Sequence, residues 1–196
     1  MNKIAIDIVL IPDDETLNLC KEINKNLTDE IDFNNTWKTP HISLLMWVMN
    51  ESDLEKISQI VSEIGKSNLP LQFDSVIENY FSEPRQMNVP FMKIDHNKII
   101  EHISCELQQK VEPLLEYENV TKDMFFNSNT IRQSSMNWVK WYKDKSVQER
   151  WEHITLGVWE SDEYVGNTYF WSSHKIAIYH LSDNCTCEHK LSEHSI

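Results

Sequence analysis

The sequence contains little glycine and no segment typical of a flexible linker. Three glycines and six prolines are spread over 196 residues, and no low-complexity tract lies between them. We therefore expect residues 1–196 to form one large domain or two small lobes. With 40% hydrophobic and 25% charged residues, the chain has the composition of a soluble globular protein.

Long hydrophobic runs and a cysteine framework are also lacking. Near the N-terminus an apolar run is interrupted by Asp7 and closed by Pro12, which fits neither a signal peptide nor a membrane span. The four cysteines do not have the spacing of a disulfide scaffold, and a chain of this length does not need one. These absences predict a cytoplasmic protein with reduced thiols and no membrane partner.

Basic residues are scarce relative to acidic ones. The chain has 18 Lys and Arg against 31 Asp and Glu, which gives a formal net charge of -13. Proteins that bind long nucleic acid do so largely through Lys and Arg contacts to phosphates. The charge balance therefore excludes a broad interface for long RNA or DNA, but it permits a small nucleotide or a strand end in a local pocket.

Periodicity and turn residues predict an alternation of strands and helices. Strands are predicted at 4–11, 41–49, 71–81, 89–95, 153–159, 167–172 and 174–181, and helices after Pro12, from Ser52 or Asp53 to Gly65, and from near Asn97. Residues 118–137 are predicted to be irregular, 138–151 partly helical, and the residues after 181 a short tail. The alternation, without glycine-rich turns, predicts an α+β fold with antiparallel sheets.

Two seven-residue segments are near copies of each other. His41–Trp47 reads HISLLMW and His153–Trp159 reads HITLGVW, so histidine, isoleucine, leucine and tryptophan recur in register and serine is exchanged for threonine. A weaker echo relates Lys3–Ile6 to Lys175–Ile178. Because the longer repeat keeps its polar as well as its apolar residues, it predicts a paired site in addition to two related halves.

Strand alternation gives this repeat its chemistry. Residues i and i+2 share a face, so His41 and Ser43 point the same way, as do His153 and Thr155. If a pseudo-two-fold axis relates the halves, two imidazoles and two hydroxyls converge across a groove. One imidazole would accept a proton from the nucleophile and the other would protonate the leaving oxygen, while the hydroxyls donate to the phosphoryl oxygens. This arrangement suits phosphodiester chemistry without a metal.

The paired His-x-Ser/Thr motifs resemble those of the two-histidine (2H) phosphoesterase superfamily, which includes LigT-type 2',5' RNA ligases and 2',3'-cyclic phosphodiesterases. The resemblance also covers the apolar first strand, Pro40, the leucine and glycine after Thr155, and the closing strand Ile176–Leu181. It implies a two-lobed, pseudo-symmetric LigT-like fold with antiparallel sheets backed by helices around a central cleft. One departure is Glu152, since the family often has proline before the second histidine.

By the same resemblance, His41 and His153 would be the catalytic pair, and Ser43 and Thr155 would bind the substrate phosphate. The implied activity is that of a metal-independent cyclic phosphodiesterase or 2',5' RNA ligase-like hydrolase without a cofactor. Its substrates would be 2',3'-cyclic phosphates or 2',5'-linked nucleotides and short RNA ends, with ligation as the reverse reaction, and the chain would act as a monomer. The alternative is a catalytically inactive relative that binds a nucleotide or another partner on the same fold.

Aromatic residues offer candidates for binding a nucleotide base. Trp47 and Trp159, at the ends of the two repeats, would either stack on a base or fill the packing ends of the lobes. Trp138, Trp141 and Tyr142 recur at helical spacing with lysines between them. This second pattern fits a stacking edge, but it is more typical of a helix that faces the core.

Other histidine patterns carry less information. His102 begins a third His-x-Ser triplet, but it lies opposite the apolar stripe of a predicted helix, so we expect it to be solvated. Cys185, Cys187 and His189 alternate near the C-terminus, yet no second pair of ligands follows at the spacing of a zinc finger. We therefore expect no metal site there.

Overall fold

The computed structural model describes residues 2–25, 38–82, 87–94, 98–116, 120–146, 149–150, 152–157 and 163–196. Their strands and α-helices, in chain order, are β1 (Lys3–Pro12), α1 (Asp14–Lys25), β2 (Ile42–Asn50), α2 (Leu54–Asn68), β3 (Leu71–Ser82), β4 (Met87–Ile94), α3 (Lys98–Val111), α4 (Gln133–Asp144), β5 (His153–Thr155), β6 (Thr168–Leu181) and β7 (Cys187–Ser195). Short 3-10 turns lie between several of these elements.

The seven strands of these ranges belong to one antiparallel sheet. Its order is β2-β1-β6-β3-β4-β5, and β7 pairs with β6 outside this path. The first part of β6, Thr168–Ser173, pairs with β3, whereas its second part pairs with β1 on one edge and β7 on the other. The predicted α+β class with antiparallel strands is confirmed.

The strands predicted at 167–172 and 174–181 are one continuous strand that connects two half-sheets. Ser173, at the junction, is fully buried, and its hydroxyl donates a hydrogen bond to the carbonyl of Ile11. Since this polar side chain is satisfied inside the sheet, the strand continues through it.

Both faces of β1 are buried, which explains its nearly unbroken apolar sequence. Alternate residues from Ile4 to Leu10 belong to the main core, and Val9 on the other face packs in a smaller cluster with Ile11 and Tyr179. Helix α2 packs on β6, β7 and α3, and α3 packs on β2. The apolar stripes predicted for these two helices are buried, as expected.

The C-terminal residues form a strand where the sequence predicted a tail. After β6 the chain turns through Asp183–Cys185, where Asn184 and Cys185 have φ angles of 58° and 53°. β7 then pairs with β6, although most of its side chains are at least partly exposed. Backbone pairing holds this edge strand rather than burial, so its sequence lacks the apolar alternation by which strands are recognised.

Helix α4 begins at Gln133, inside the stretch predicted to be irregular, and ends at Asp144. Within the described ranges, no helix is both long and apolar enough to cross a membrane. The four cysteines are free thiols, as the absence of a disulfide framework suggested.

Helix α2 continues past Gly65, where the sequence predicted its end, and reaches Asn68. Gly65 serves close packing instead, because a Cβ atom at this position would lie 2.8 Å from Cγ2 of Ile176 on β6. Ile176 is almost fully buried, so its branched side chain has little room to move. The absence of a side chain at residue 65 is therefore what lets the helix approach the sheet here.

We predict that Gly65→Ala destabilises the protein, although alanine favours a helix over glycine by about 1 kcal/mol. The added methyl group would overlap Ile176, and overpacking a closed core costs about 1–3 kcal/mol. Urea unfolding should show a lower midpoint for the variant, and the loss should shrink in an Ile176→Ala background. Exposed Ser67→Ala in the same helix is the control and should change stability by less than about 0.5 kcal/mol. An equal loss of stability in both backgrounds would show that the added methyl group does not overlap Ile176.

Candidate active site

The two histidine motifs lie at strands on opposite ends of the strand order, and of the strand predicted at 153–159 only His153–Thr155 is a strand in the described residues. His41 directly precedes β2, which pairs with β1. His153 and Thr155 lie on β5, opposite Lys93 and Phe91 of β4. β2 and β5 terminate the path of six strands, yet they contact each other. The curvature of the sheet therefore brings the two copies of the repeat together.

One cavity of about 100 Å³ lies where these strands meet, and His41, Ser43, His153 and Thr155 line it. The other lining residues are Lys38, Thr39, Pro40, Met46, Tyr142, Asn184, Cys185, Thr186 and Cys187. Pockets that enclose a whole small ligand are typically about 300–1,000 Å³. The part of the cavity formed by described residues thus suits a group the size of a phosphate, with the rest of a ligand outside.

A β-bulge in β2 changes which side chains share the face of Ser43. The ladder between β1 and β2 skips Leu44, so strict alternation fails at this point. Strict alternation would place Leu45 and Trp47 on the face of Ser43, but it is Met46 that joins Ser43 in the cavity lining. Trp47 is 3% exposed in the core, and its indole nitrogen donates to the Glu116 carbonyl at 3.1 Å. The predicted stacking of Trp47 on a base does not fit this burial, whereas its packing alternative does.

His41 has a defined tautomer. Its Nδ1 lies 2.7 Å from the carbonyl oxygen of Thr39, and because a carbonyl only accepts, Nδ1 carries the hydrogen. In the neutral ring Nε2 is therefore free of a proton, and it lies 3.6 Å from both Cys187 Sγ and Asp7 Oδ2. Burial lowers the pKa of His41 to about 4, against the bond to Thr39, and the charge of nearby His153 lowers it further.

His153 is half-buried, as His41 is, but a different side chain contacts it. The ring of Phe91 meets the His153 imidazole edge-on, with a centroid separation of 5.7 Å. The neighbouring Ile154 points to the opposite face and is fully buried. The two histidines of one sequence motif thus occupy different environments.

Asp7 is a site residue that sequence reasoning missed, since it was noted only as an interruption of an apolar run. It lies in the middle of β1 and is fully buried. Its Oδ2 lies 2.6 Å from Ser43 Oγ, and its Oδ1 has no hydrogen-bond partner in the described part of the chain. Burial raises the pKa of Asp7 well above its usual value, although Ser43 and the Arg150 charge act in the opposite direction. A lone acid in a buried strand was the signal available in the sequence.

Tyr142 connects α4 to the first copy of the repeat. It is buried, and its hydroxyl donates to the backbone carbonyl of Ser43 at 2.8 Å. The guanidinium of Arg150 lies 4.2 Å from the centre of the Tyr142 ring and donates to the Tyr142 carbonyl at 2.8 Å. Burial raises the pKa of Tyr142, so its hydroxyl stays protonated at neutral pH. Tyr142 therefore supports the strand that carries Ser43.

The other aromatic candidates are divided between core and surface. Trp138 is 38% exposed and stacks on the partly buried Trp141, with ring centroids 4.6 Å apart. Neither residue lines the cavity as far as the described residues define it. Trp159, the second candidate for base stacking, lies outside the described residues. His102, which begins the third His-x-Ser triplet, is exposed on α3, as predicted.

The alternating Cys185, Cys187 and His189 do not converge on one point. Cys185 is buried and donates its thiol to a carbonyl of α4 at 3.5 Å, and His189 stacks on Phe126 with centroids 4.7 Å apart. Cys187 instead faces His41 in the cavity. Burial raises the pKa of both thiols, which keeps them protonated. In the described ranges, the side chains close enough together to share a metal ion are Asp7, His41 and Cys187.

The sequence matches no protein-family model and no curated protein. Solved structures match over nearly the whole chain. The structure of E. coli LigT complexed with NADP+ is 8% identical with a TM-score of 0.58, and the match covers 100% of this chain and 99% of that chain. LigT complexed with 3'-AMP is 9% identical with a TM-score of 0.55 and the same coverage. A structure described as a phosphoesterase is 9% identical with a TM-score of 0.53, and the match covers 98% of both chains.

At these identities the likeness shows the fold alone. The chain has the LigT-like fold, as the resemblance of its motifs and strands predicted. The similarity extends over the full lengths of both chains, so it includes the strands β2 and β5 that carry the repeat.

We predict that Asp7→Asn stabilises the protein at neutral pH. Because burial raises the folded-state pKa of Asp7 above its unfolded value of about 3.9, stability is lost as the pH rises from about 4 towards the folded-state pKa. Below pH 4 the carboxyl is protonated in both states, and the variant gains nothing from this source. Melting temperatures in buffer with EDTA should be at least about 2 °C higher for the variant at pH 7, with a smaller difference at pH 4.

Asp144→Asn provides the control for this measurement, since Asp144 is exposed on α4. Its melting temperature should follow that of the wild type at every pH. A lower melting temperature for Asp7→Asn than for the wild type at pH 7 would show that ionisation of Asp7 does not destabilise the fold. A difference in melting temperature that is independent of pH would show the same.

Proposed function

We propose that this chain is a metal-independent phosphodiesterase of the two-histidine kind. Its substrates would be 2',3'-cyclic phosphates or 2',5'-linked phosphodiesters on nucleotides or short RNA ends. The observation that carries the proposal is that His41, Ser43, His153 and Thr155 line one small cavity. The fold shared with LigT and with a phosphoesterase supports it. Two imidazoles and two hydroxyls supply proton transfer and oxyanion stabilisation without any further group.

His41 is proposed as the proton acceptor. Its Nδ1 hydrogen is committed to the Thr39 carbonyl, which leaves Nε2 as the basic nitrogen on the cavity side. Its lowered pKa keeps the ring neutral at physiological pH. When a water or hydroxyl attacks phosphorus, Nε2 would take the proton from the attacking oxygen, and the ring would become an imidazolium.

His153 is then the proton donor. As the bond between phosphorus and the leaving oxygen breaks, the His153 imidazolium would transfer its proton to that oxygen. The cycle closes when the proton gained by His41 is lost to solvent and His153 is protonated again. In the ligation direction the two roles are exchanged, with a 5'-hydroxyl as the nucleophile and a 2',3'-cyclic end as the acceptor.

Ser43 and Thr155 are proposed to bind the non-bridging phosphoryl oxygens. Ser43 Oγ is 2.6 Å from Asp7 Oδ2. When Asp7 is protonated, which its raised pKa favours, its hydroxyl can donate to Ser43 Oγ. The hydrogen of Ser43 is then available to a phosphoryl oxygen, so Asp7 would act as a positioning residue for Ser43.

Cavity size and charge both favour small substrates. A cavity of about 100 Å³ holds a phosphate, so the nucleoside would lie at its mouth. LigT was crystallised with 3'-AMP and with NADP+, which are nucleotides with phosphate groups. A net charge of -13 opposes the binding of long RNA. We therefore propose mononucleotide or dinucleotide substrates and short RNA ends.

We predict that His41→Ala and His153→Ala each lower kcat on a 2',3'-cyclic nucleotide or a 2',5'-linked dinucleotide by about 10²-fold or more. Each variant removes one proton-transfer group, and such groups typically contribute about 10²–10⁴-fold. His102→Ala, which breaks the solvent-exposed His-x-Ser triplet on α3, is the matched control and should retain wild-type activity. Assays with and without EDTA should agree.

Two outcomes would contradict this function. If neither histidine variant differs from the wild type on both substrate classes, catalysis by the pair is wrong, and nucleotide binding without turnover becomes the better account. If EDTA abolishes turnover, a metal rather than the histidine pair is required. Circular dichroism of each variant separates loss of chemistry from loss of the fold.

We predict that the acid limb of the pH profile lies well below the ordinary pKa of histidine. Because the pKa of His41 is lowered to about 4, its neutral form persists as the pH falls through 6.5, and kcat/KM that depends on this form should decline only as the pH approaches 4. Initial rates from pH 4 to 9 in EDTA, with circular dichroism at each pH, would measure this. An acid limb with its midpoint near pH 6.5 would exclude His41 as a base with this pKa.

A further inference from the structure

We propose that Asp7, His41 and Cys187 form a binding site for a zinc-like divalent cation, and that the bound cation blocks the proposed base. The blocking step rests on the proposed function, whereas cation binding does not. The three residues come from β1, from the residue before β2, and from the start of β7, so they are distant in sequence. Their ligand atoms lie within 4.8 Å of one another.

The distances fit tetrahedral zinc. His41 Nε2 lies 3.6 Å from Cys187 Sγ and 3.6 Å from Asp7 Oδ2. With Zn–S of about 2.3 Å, Zn–N of about 2.05 Å and Zn–O of about 2.1 Å, tetrahedral ligands are separated by about 3.6 Å for N and S and about 3.4 Å for N and O. The two distances from His41 Nε2 therefore match tetrahedral zinc within about 0.2 Å, and the separation of Cys187 Sγ from the Asp7 oxygen is below 4.8 Å.

The neighbours of these ligands also fit a metal site. Ligating histidines usually donate their second ring nitrogen to a carbonyl or carboxylate, which fixes the tautomer, and His41 Nδ1 does so to Thr39. Asp7 is fully buried, and its Oδ1 has no hydrogen-bond partner in the described ranges. An unpaired buried carboxylate oxygen is costly, and a cation beside this carboxyl would compensate that cost. Ser43 Oγ contacts Oδ2, which is also the oxygen 3.6 Å from His41 Nε2, so the cation and the Ser43 hydroxyl would share this oxygen.

The donor set indicates the class of cation. A thiolate, an imidazole and a carboxylate together suit zinc and related borderline-soft ions better than magnesium or calcium, which prefer oxygen ligands. On binding, the Cys187 S–H bond and the Asp7 O–H bond break, both protons pass to solvent, and the thiolate and the carboxylate coordinate the cation. Three protein ligands leave a fourth position, which would take a water molecule.

Occupation of this site would inhibit turnover. The lone pair of His41 Nε2 cannot accept a proton from a nucleophile while it coordinates a cation. Cys187 would then have a regulatory role as a ligand, without taking part in the proton transfers of the proposed reaction.

Cobalt(II) titration tests the binding site without reference to activity. Added to the reduced, EDTA-treated and desalted protein, Co²⁺ should produce a near-ultraviolet thiolate-to-cobalt charge-transfer band that saturates at one ion per chain and disappears when excess Zn²⁺ is added. Cys187→Ser should abolish the band. Cys105→Ser is the matched control, since Cys105 is exposed on α3 and should leave the band unchanged.

A second variant guards against misfolding of the first. His41→Ala keeps all four thiols and should weaken Co²⁺ binding at least tenfold, with circular dichroism like that of the wild type. Absence of a band in the wild type, or a band that survives Cys187→Ser, would overturn the site.

Inhibition is tested in the phosphodiesterase assay with Zn²⁺ at concentrations that saturate the site. Wild-type turnover should fall at least tenfold and recover with EDTA, while Cys187→Ser should resist inhibition. If Co²⁺ binds through Cys187 but Zn²⁺ leaves turnover unchanged, the blocking role is wrong. If the wild type has no phosphodiesterase activity at all, the proposed function fails, and the spectroscopic result still decides the cation site.

Discussion

The pairing of one long strand with neighbours on both edges is the constraint on which the site depends. β6 pairs with β3 over its first part and with β1 over its second, so the two half-sheets become one. β2 is attached through β1, and β5 through β3 and β4. The ends of this path contact each other, and the cavity lies where they meet. Because both ends are anchored by backbone ladders, Ser43, His153 and Thr155 are held on strands, and His41 lies directly before one.

The repeated histidine motifs are the part of the site that could be predicted from the sequence. The copies HISLLMW and HITLGVW show which polar residues belong together, and strand alternation gives the shared face of His41 and Ser43. Alternation fails after Leu44, because an extra residue in the ladder is a property of the pairing with β1 and leaves no mark in the sequence of β2. This is why Met46, rather than Leu45, shares the cavity face with Ser43.

Other features depend on contacts between residues that are far apart in the chain. β7 is polar and is held by its ladder to β6, so neither its existence nor the entry of Cys187 into the cavity follows from local pattern. Asp7 was visible as an acid in an apolar strand, but its role depends on Ser43 and His41 across the strand pair. Sequence periodicity indicates which face of a strand or helix is buried. It does not indicate which side chains from different elements lie close together to form a site.

The unlike surroundings of the two histidines imply a direction in the site. His41 lies beside Thr39, Asp7 and Cys187, whereas His153 lies on a short strand and contacts the ring of Phe91. A duplicated motif with equivalent environments would accept a phosphodiester in either of two opposite orientations. Here the neighbours of the two imidazoles differ, so a phosphodiester bound between them as proposed would have two distinguishable ester oxygens. Such a ligand would bind with a single polarity, and the duplication would have lost its symmetry in function while keeping it in sequence.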